Sequence, residues 1–487
     1  MLSTRLHLNI FIITLWFIKL IKMSQDIVDK ALKKLHDLHI PYGDIRAENS
    51  LMTQIRTVNG KVEASTTGIE SGIGIRILND GAWGFAYGPL ERYEDVIDMA
   101  LKANKLNLKQ KKRDISLAEV KPVEDSFIGE QKRKLDDTGF DEKIKFTFET
   151  DKAQEDDRIK SRTSSFREVL RKMILATTEG TRIVYEVPYV MLFAVSVARE
   201  GTETIEGRCR IGHLGGVELL DIRSPQQVGE KSKERALEGL KSPKVKSGRY
   251  PVVLDGTINH LFSHEAAGHS AEGDFVQTAG VLRGKLGKRV GASCVNLIDD
   301  GSLKETEGIN SFGYIKYDDE GVPGKKNYIM KDGILKTYLT DRSSAKHFDL
   351  KPTGNSRAEA YTVPQIVRMT NTYISPANDS MKHEELIEQT KNGFLLMQGG
   401  GGQVDPIKGT FNFGVAELYE IKNGEIGERY RPTTLAGNTL ETLLKIVGVS
   451  PEMGDPLDSI GFCGKDGQSA PVGITAGWLA VKNIVVG

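Results

Sequence analysis

The sequence predicts an α+β protein of two domains. The first is a helix beside an antiparallel sheet. The second is mainly antiparallel β and carries a histidine-bearing helix. Three observations predict this. At 487 residues the chain is longer than one hydrophobic core usually supports. Helical periodicity is confined to a few stretches, while apolar runs separated by Asn-Gly and Asp-Gly turns recur from end to end. The polar stretch Lys241 to Arg249 reads as a linker and puts a boundary near Gly248, giving domains at 23–248 and 249–487.

Met1 to Lys22 stand apart. Ile10 to Ile18 form a short apolar run, too interrupted to span a bilayer and followed by no small-residue cleavage site. The reading is a start codon placed upstream of the true first residue, Met23, with a membrane anchor as the alternative. From Ser24 to His39, Ile27, Val28, Ala31, Leu32, Leu35 and Leu38 recur at helical spacing. Asn59-Gly60 joins strands Ile45 to Asn59 and Lys61 to Ser65, and Asn79-Asp80-Gly81 joins Gly72 to Leu78 with Ala82 to Tyr87. Glu91 to Lys105 reads as a second helix. Leu106 to Ser165 is charge-dense and aperiodic, and reads as a solvated helical excursion. Phe166 to Thr177 and Thr181 to Arg199 are strands around Glu179-Gly180, the glycine-rich Gly207 to Gly216 with His213 is a loop, and Pro225 to Leu240 is a helix.

In the C-terminal half Pro251 to Gly256 reads as a buried strand and turn, and Thr257 to His264 as a helix with Ile258, Leu261 and Phe262 as its apolar stripe. Asp332-Gly333 and Asn423-Gly424 mark hairpins. Asp341 to Phe348, His383 to Lys391 and Leu435 to Gly448 read as helices. The glycine run Gly399 to Gly402 permits close backbone approach to a ligand. No Lys-Ser/Thr follows it at phosphate-loop spacing.

Composition narrows the functions. Lys+Arg and Asp+Glu both number 66, for a net charge of zero. This argues against a general nucleic-acid or anionic-membrane binder. The three cysteines, Cys209, Cys294 and Cys463, have no close pairing, so a disulfide framework is not expected and a reducing, cytoplasmic setting fits.

The chemistry concentrates in His264-Glu265-Ala266-Ala267-Gly268-His269. Imidazole nitrogen is a favoured zinc donor, and an adjacent carboxylate can take the proton of a water acidified by the metal. The spacing is i+5 rather than the i+4 of the H-E-x-x-H zinc motif. On an ideal α-helix i+5 splays the rings by roughly 140°. A helix that opens at Gly268, with His269 folding back, would bring them together. Two histidines on an ordinary buried helix are the alternative. A catalytic zinc also wants a third protein donor. Cys463, on a glycine-flanked loop with Lys465 nearby to favour the thiolate, is one candidate, although such a cysteine also fits as a buried apolar residue. His383-Glu384 has no second histidine downstream and is set aside.

Several runs together resemble the TldD/PmbA family, the modulators of DNA gyrase, and its TldD-like members in particular. They are Gly68 to Arg76 with Trp83 to Tyr87, His264 to His269 with Glu272-Gly273-Asp274-Phe275, Pro352 to Asn355, Arg368 to Tyr373, Gly400 to Asp405, and Cys463-Gly464-Lys465 with Gly467-Gln468-Ser469. The likeness covers nearly everything after Met23 and is weakest between about Asn104 and Phe166. It implies a metallopeptidase with zinc held by His264, His269 and Cys463 and with Glu265 as general base. It also implies pairing with a PmbA-like (TldE-like) subunit, with a homodimer as the fallback. Extended Arg368, Thr370, Asn371 and Thr372, and Gly400, Gly401, Gly402 and Gln403, would offer a strand edge to a peptide. A non-hydrolytic scaffold with structural zinc and a hydrolase of small amides are the rival readings.

Overall fold

The computed structural model describes residues 24–487 apart from 111–113, 379, 458–459 and 474–475. The expectations for Met1 to Lys22 fall outside the described residues. The chain is α+β, with most of its regular structure in strands.

Residues 42–214 build a seven-stranded sheet. Its middle is made of long antiparallel strands: Tyr42–Val58, Lys61–Asn79, Ile159–Thr177 and Arg182–Glu200. The Asn59-Gly60 turn has both residues at positive φ, 48° and 74°, the pairing that suits a two-residue hairpin. The second strand runs unbroken through 66–71, where the sequence reading left a gap. These residues are exposed or half-buried and carry no apolar alternation, but each pairs with a residue of Tyr42–Val58. Glu203–Leu214 is a strand rather than a glycine loop, with Gly207, Cys209 and Ile211 buried and Glu206, Arg208 and Arg210 facing out. The aperiodic stretch is not one helical excursion. It holds the parallel strand Glu124–Ile128, paired with Arg182–Glu200, and the helix Phe140–Ala153.

One face of this sheet packs on helices. Ile45 and Ile75 meet Val28 and Leu35 of the helix over residues 24–37 and Ile97 of the helix Tyr93–Gln110. Further along, Phe166 and Leu170 meet Phe146 and Val228, the latter from Pro225–Lys241. The opposite face presents charge to the C-terminal half. Buried Arg76 bridges Asp44 at 2.7 Å and Glu320 at 2.8 Å, and Arg342 forks onto Glu179. Removing one carboxylate partner of Arg76 costs about 3–5 kcal/mol, because a charge is left unpaired in a dry setting.

In the C-terminal half, Gly393–Asp405 pairs in parallel with Gly248–Leu254 and antiparallel with Thr410–Lys422. Leu479–Val486 and Thr433–Asn438 complete the ring, so five strands close on themselves. Closure leaves no free edge around that circuit. Val252, Leu254, Phe413 and Leu435 face a core that also takes Ile258 and Phe262 from the following helix. Val253 and Leu395 point the other way, under Leu386 and Ile387 of the helix His383–Thr390. The predicted helix Leu435 to Gly448 is instead strand Thr433–Asn438, one short helix Thr439–Leu444, and strand Ile446–Val449. Both strands pair with Leu479–Val486, and that ladder overrides a helical pattern.

Candidate metal centre

Buried Asp255 starts the histidine helix by accepting from the Ile258 N–H, and it also holds Gln398 N and the Thr257 hydroxyl. Burial pushes its carboxyl up to about 6. The α-helix Gly256–Leu261 then widens into a π-helical turn, Phe262–Gly268, where the His269 N–H donates to His264 O. A π-helix closes hydrogen bonds between i and i+5, so the i+5 residue stacks above its partner. The expected opening at Gly268 is therefore replaced by wider winding: Gly268 stays in the right-handed helical region at φ −67°. The lack of a side chain there serves packing instead, since a Cβ would sit 2.0 Å from Met369 Sδ. The His264 and His269 rings end 5.3 Å apart.

Cys463 arrives on a strand, Ile460–Lys465, hairpinned to Gln468–Gly473. The loop expectation missed this because the local glycines mask the ladder. Asp466-Gly467, both at positive φ, make the turn. The ligand-capable atoms of His264, His269 and Cys463 all lie within 4.8 Å of one another, and all three residues are buried. Cys463 Sγ is 3.2 Å from His269 Nε2. The His269 Nδ1 is 2.9 Å from Glu272 Oε2. That contact fixes the ring and turns Nε2 towards the sulfur. Neither ring nitrogen of His264 has a hydrogen-bond partner of regular geometry.

Burial alone would raise the Cys463 thiol, but the two imidazoles outweigh it and hold the thiol down to about 4. Burial likewise opposes the His269 proton, while Glu272 and the thiolate hold its pKa well above the ordinary range. Lys465 does not act on the sulfur as the sequence suggested. Its ammonium is taken by Asp274 at 2.7 and 2.8 Å, Glu272 at 3.2 Å and Val367 O at 2.9 Å. This cation steadies the carboxylate that orients His269.

Glu265, His269, Glu272 and Gln403 line an open cavity of about 610 Å3. The Glu265 carboxylate is 3.6 Å from His269 Nε2. Of the predicted peptide-facing residues, Gly400, Gly402 and Gln403 are exposed and Gly401 is half-buried, on a strand with a bulge between Gly399 and Gly402. The other four are not available. Arg368, Thr370, Asn371 and Thr372 are all at most 1% exposed. Arg368 donates to Cys463 O and Gln468 O, and so clamps the cysteine hairpin. Thr370 and Thr372 bond Asp299, and Asn371 bonds Asp300 O. Their polar atoms are used to build the wall, so no edge is open there.

Sequence reasoning passed over His260, which lies four residues before His264 and was readable by that spacing. Its ring is buried, 5.8 Å from that of His264, with Nδ1 3.2 Å from Thr372 O. Burial, then the neighbouring His264, press its pKa down to about 3, so it stays neutral. Buried His213 contacts Gly216 O at 2.8 Å and lies outside the site.

Two imidazoles, a thiolate and a nearby carboxylate at an open cavity define a candidate metallohydrolase centre. Comparison with known proteins gives the family. The models for PmbA/TldA metallopeptidase domain 1, central domain and C-terminal domain match residues 43–105, 133–240 and 247–487. The chain belongs to the PmbA/TldD family of metallopeptidases. A metalloprotease of Methanocaldococcus jannaschii is 37% identical over 436 residues, 89% of this chain and 94% of that one. A zinc metalloprotease TldD homologue of Saccharolobus solfataricus is 29% identical over 459 residues, 94% and 99% of the two chains. The crystal structure of TldE from Thermococcus kodakarensis shares the fold, with a TM-score of 0.70 at 18% identity, over 95% of this chain and 99% of that one.

Proposed function

We propose that this protein is a zinc-dependent peptidase acting on short or unfolded polypeptides, with His264, His269 and Cys463 as metal ligands and Glu265 as general base. The carrying observation is the convergence of three buried donors, among them a histidine whose ring nitrogens are otherwise unpartnered. A buried polar group without a partner is costly, so a cation there would satisfy what the fold leaves unmet. Among the described residues the group holds three donors. Three suit a catalytic zinc, whereas a structural zinc normally has four. This favours hydrolysis over the scaffold reading. One relative is named a zinc metalloprotease, which supports the choice of metal.

When bound, zinc supplies Lewis acidity and makes water acidic enough to lose a proton near neutral pH. The residues do the rest. Glu265, part-exposed on the cavity wall, takes the proton of the attacking water and returns it to the leaving amine. Glu272 holds His269 by Nδ1. Residues 402–405 pair with Thr410–Lys422 on one side, and the parallel pairing with Gly248–Leu254 on the other side stops at Leu396. Their other side can add a peptide strand by backbone hydrogen bonds, which extends the substrate and makes little demand on its side chains. A PmbA-like subunit as partner, or a second copy of this chain, and a cytoplasmic setting belong to the same reading. The TldE fold match and the three free cysteines support them.

Cleavage of a denatured protein and of dipeptides, with zinc content followed in parallel, tests this. Glu265→Gln should keep the metal and lose about 10²–10⁴ in rate. Full cleavage by Glu265→Gln would overturn the mechanism, and activity on dipeptides alone would favour the small-amide hydrolase.

A further inference from the structure

The cavity of about 610 Å3 at the candidate metal centre is lined by two kinds of surface. One is apolar: Phe275, Val404 and Pro406 are half-buried there, from two separate segments of the chain. The other is acidic. Glu265, Glu272, Asp274 and Asp466 all line the cavity, against a single lysine, Lys465. Asp274 takes that ammonium at 2.7 and 2.8 Å, and Glu272 shares it at 3.2 Å. One ammonium cannot balance two carboxylates, and no Lys or Arg among the described residues pairs with Glu265 or Asp466.

Two of these carboxylates are left with something unmet. Glu272 is 1% exposed; its Oε2 serves His269 and Lys465, while its Oε1 has no hydrogen-bond partner. A buried carboxylate oxygen without a partner is costly. Asp466 is exposed, and its side chain makes no hydrogen bond or ion pair with any described residue. The cysteine hairpin carries it: Asp466-Gly467 is the turn, with φ of 50° and 74°, so this carboxylate is held three residues from Cys463. Among the described residues the four carboxylates form no group of three donors close enough to grip an ion. The unmet charge therefore suits a cation that arrives with a substrate, and not a second bound metal.

We infer that this cavity is a subsite for a lysine or arginine side chain of the peptide substrate, with Asp466 as the group that meets the cationic head and Glu272 adding to the negative field behind it. The apolar lining fits the rest of such a side chain. Lys and Arg carry three or four methylenes that lie along apolar surface while the charged end seeks a polar partner. A free α-amine has no such stem. A neutral aliphatic side chain would leave the carboxylates unmet, and an acidic one would meet like charge. The subsite extends the peptidase reading and rests on it.

The test is equilibrium binding of fluorescent hexapeptides to the full-length, zinc-loaded Glu265→Gln protein, so that the probe is not cut while Asp466 and Glu272 keep their charge. The peptides are acetylated, amidated and neutral apart from one Lys, which is moved through every position in turn. Norleucine at the same position is the uncharged control. At one position Lys should bind about tenfold tighter than norleucine, the gain of one charge-assisted contact, and Glu there should bind more weakly than either. Adding Asp466→Asn should cut that ratio to about twofold. Asn suits a positive φ as Asp does, so the turn is kept, and Asp466→Glu should retain part of the ratio. A misfolded variant would lose all probes together, whereas a lost subsite changes the ratio. A gain of equal size at every position is the pull of net charge alone and would overturn the inference. So would no gain from Lys at any position, or an unchanged ratio in Asp466→Asn. A preserved Lys preference in a wild-type chain that cleaves no peptide would instead count against the peptidase reading.

Discussion

The chain carries His-Glu twice on helical segments of its C-terminal half, at His264-Glu265 and at His383-Glu384, and the two fare differently. Each meets a residue far along the chain: Cys463 for the first, Glu452 for the second. His264 is buried and its ring nitrogens lack hydrogen-bond partners of regular geometry. The His383 side chain is 37% exposed, and both ring nitrogens are taken, Nδ1 by Glu452 at 2.6 Å and Nε2 by Glu384 at 2.9 Å. The first cluster leaves a need that a cation would meet. The second is a part-exposed set of surface polar contacts, worth little to stability. Unmet valence in a dry setting marks the candidate site, more than the dipeptide does.

The largest effect that sharpens the comparison concerns metal content. His264→Ala should cut zinc affinity by more than the roughly 100-fold that loss of an outer partner can cost, while His383→Ala should leave it unchanged and shift stability by no more than about 1 kcal/mol. Metal analysis after dialysis, with urea melts alongside, checks both. Equal zinc loss in the two variants would erase the distinction.

The helix starts differ too: buried Asp255 caps the first and exposed Lys382 precedes the second. Because the Asp255 carboxyl is raised from 3.8 to about 6, the native state binds its proton more tightly than the unfolded chain. Stability from this group therefore falls as pH rises from about 4 to about 6, and is flat above that. The full shift corresponds to about 3 kcal/mol. Denaturant melts at pH 4.5 and 7 should show this slope in the wild type and not in Asp255→Asn. Smaller still, Glu272→Gln should weaken zinc binding about 10–100-fold by loosening His269, with the fold intact by circular dichroism. An unchanged affinity would mean that the ring is held by packing alone.

Much of the fold was legible where local chemistry and tertiary context agree. Asn59-Gly60, Asp332-Gly333 and Asn423-Gly424 all turn hairpins, with every one of these residues at positive φ. The helices Tyr93–Gln110, Pro225–Lys241 and Arg342–Phe348 lie close to where periodicity put them. The sequence failed where pairing partners decide. Thr433–Asn438 and Ile446–Val449 are strands because Leu479–Val486 is beside them, some forty residues away in sequence. The histidine spacing, with the family resemblance that added Cys463, pointed to one place, but the π-turn that aligns i and i+5 has no propensity signature. Arg368 and Thr370 to Thr372 read as an accessible edge because a polar run gives no hint that Asp299 and the cysteine hairpin already claim it.

The most direct measurement is zinc K-edge X-ray absorption on the metal-loaded protein. Two imidazole nitrogens at about 2.0 Å and one sulfur at about 2.3 Å, with the sulfur lost in Cys463→Ser, are what the account requires. A shell without sulfur in the wild type, or one that Cys463→Ser leaves unchanged, would contradict it.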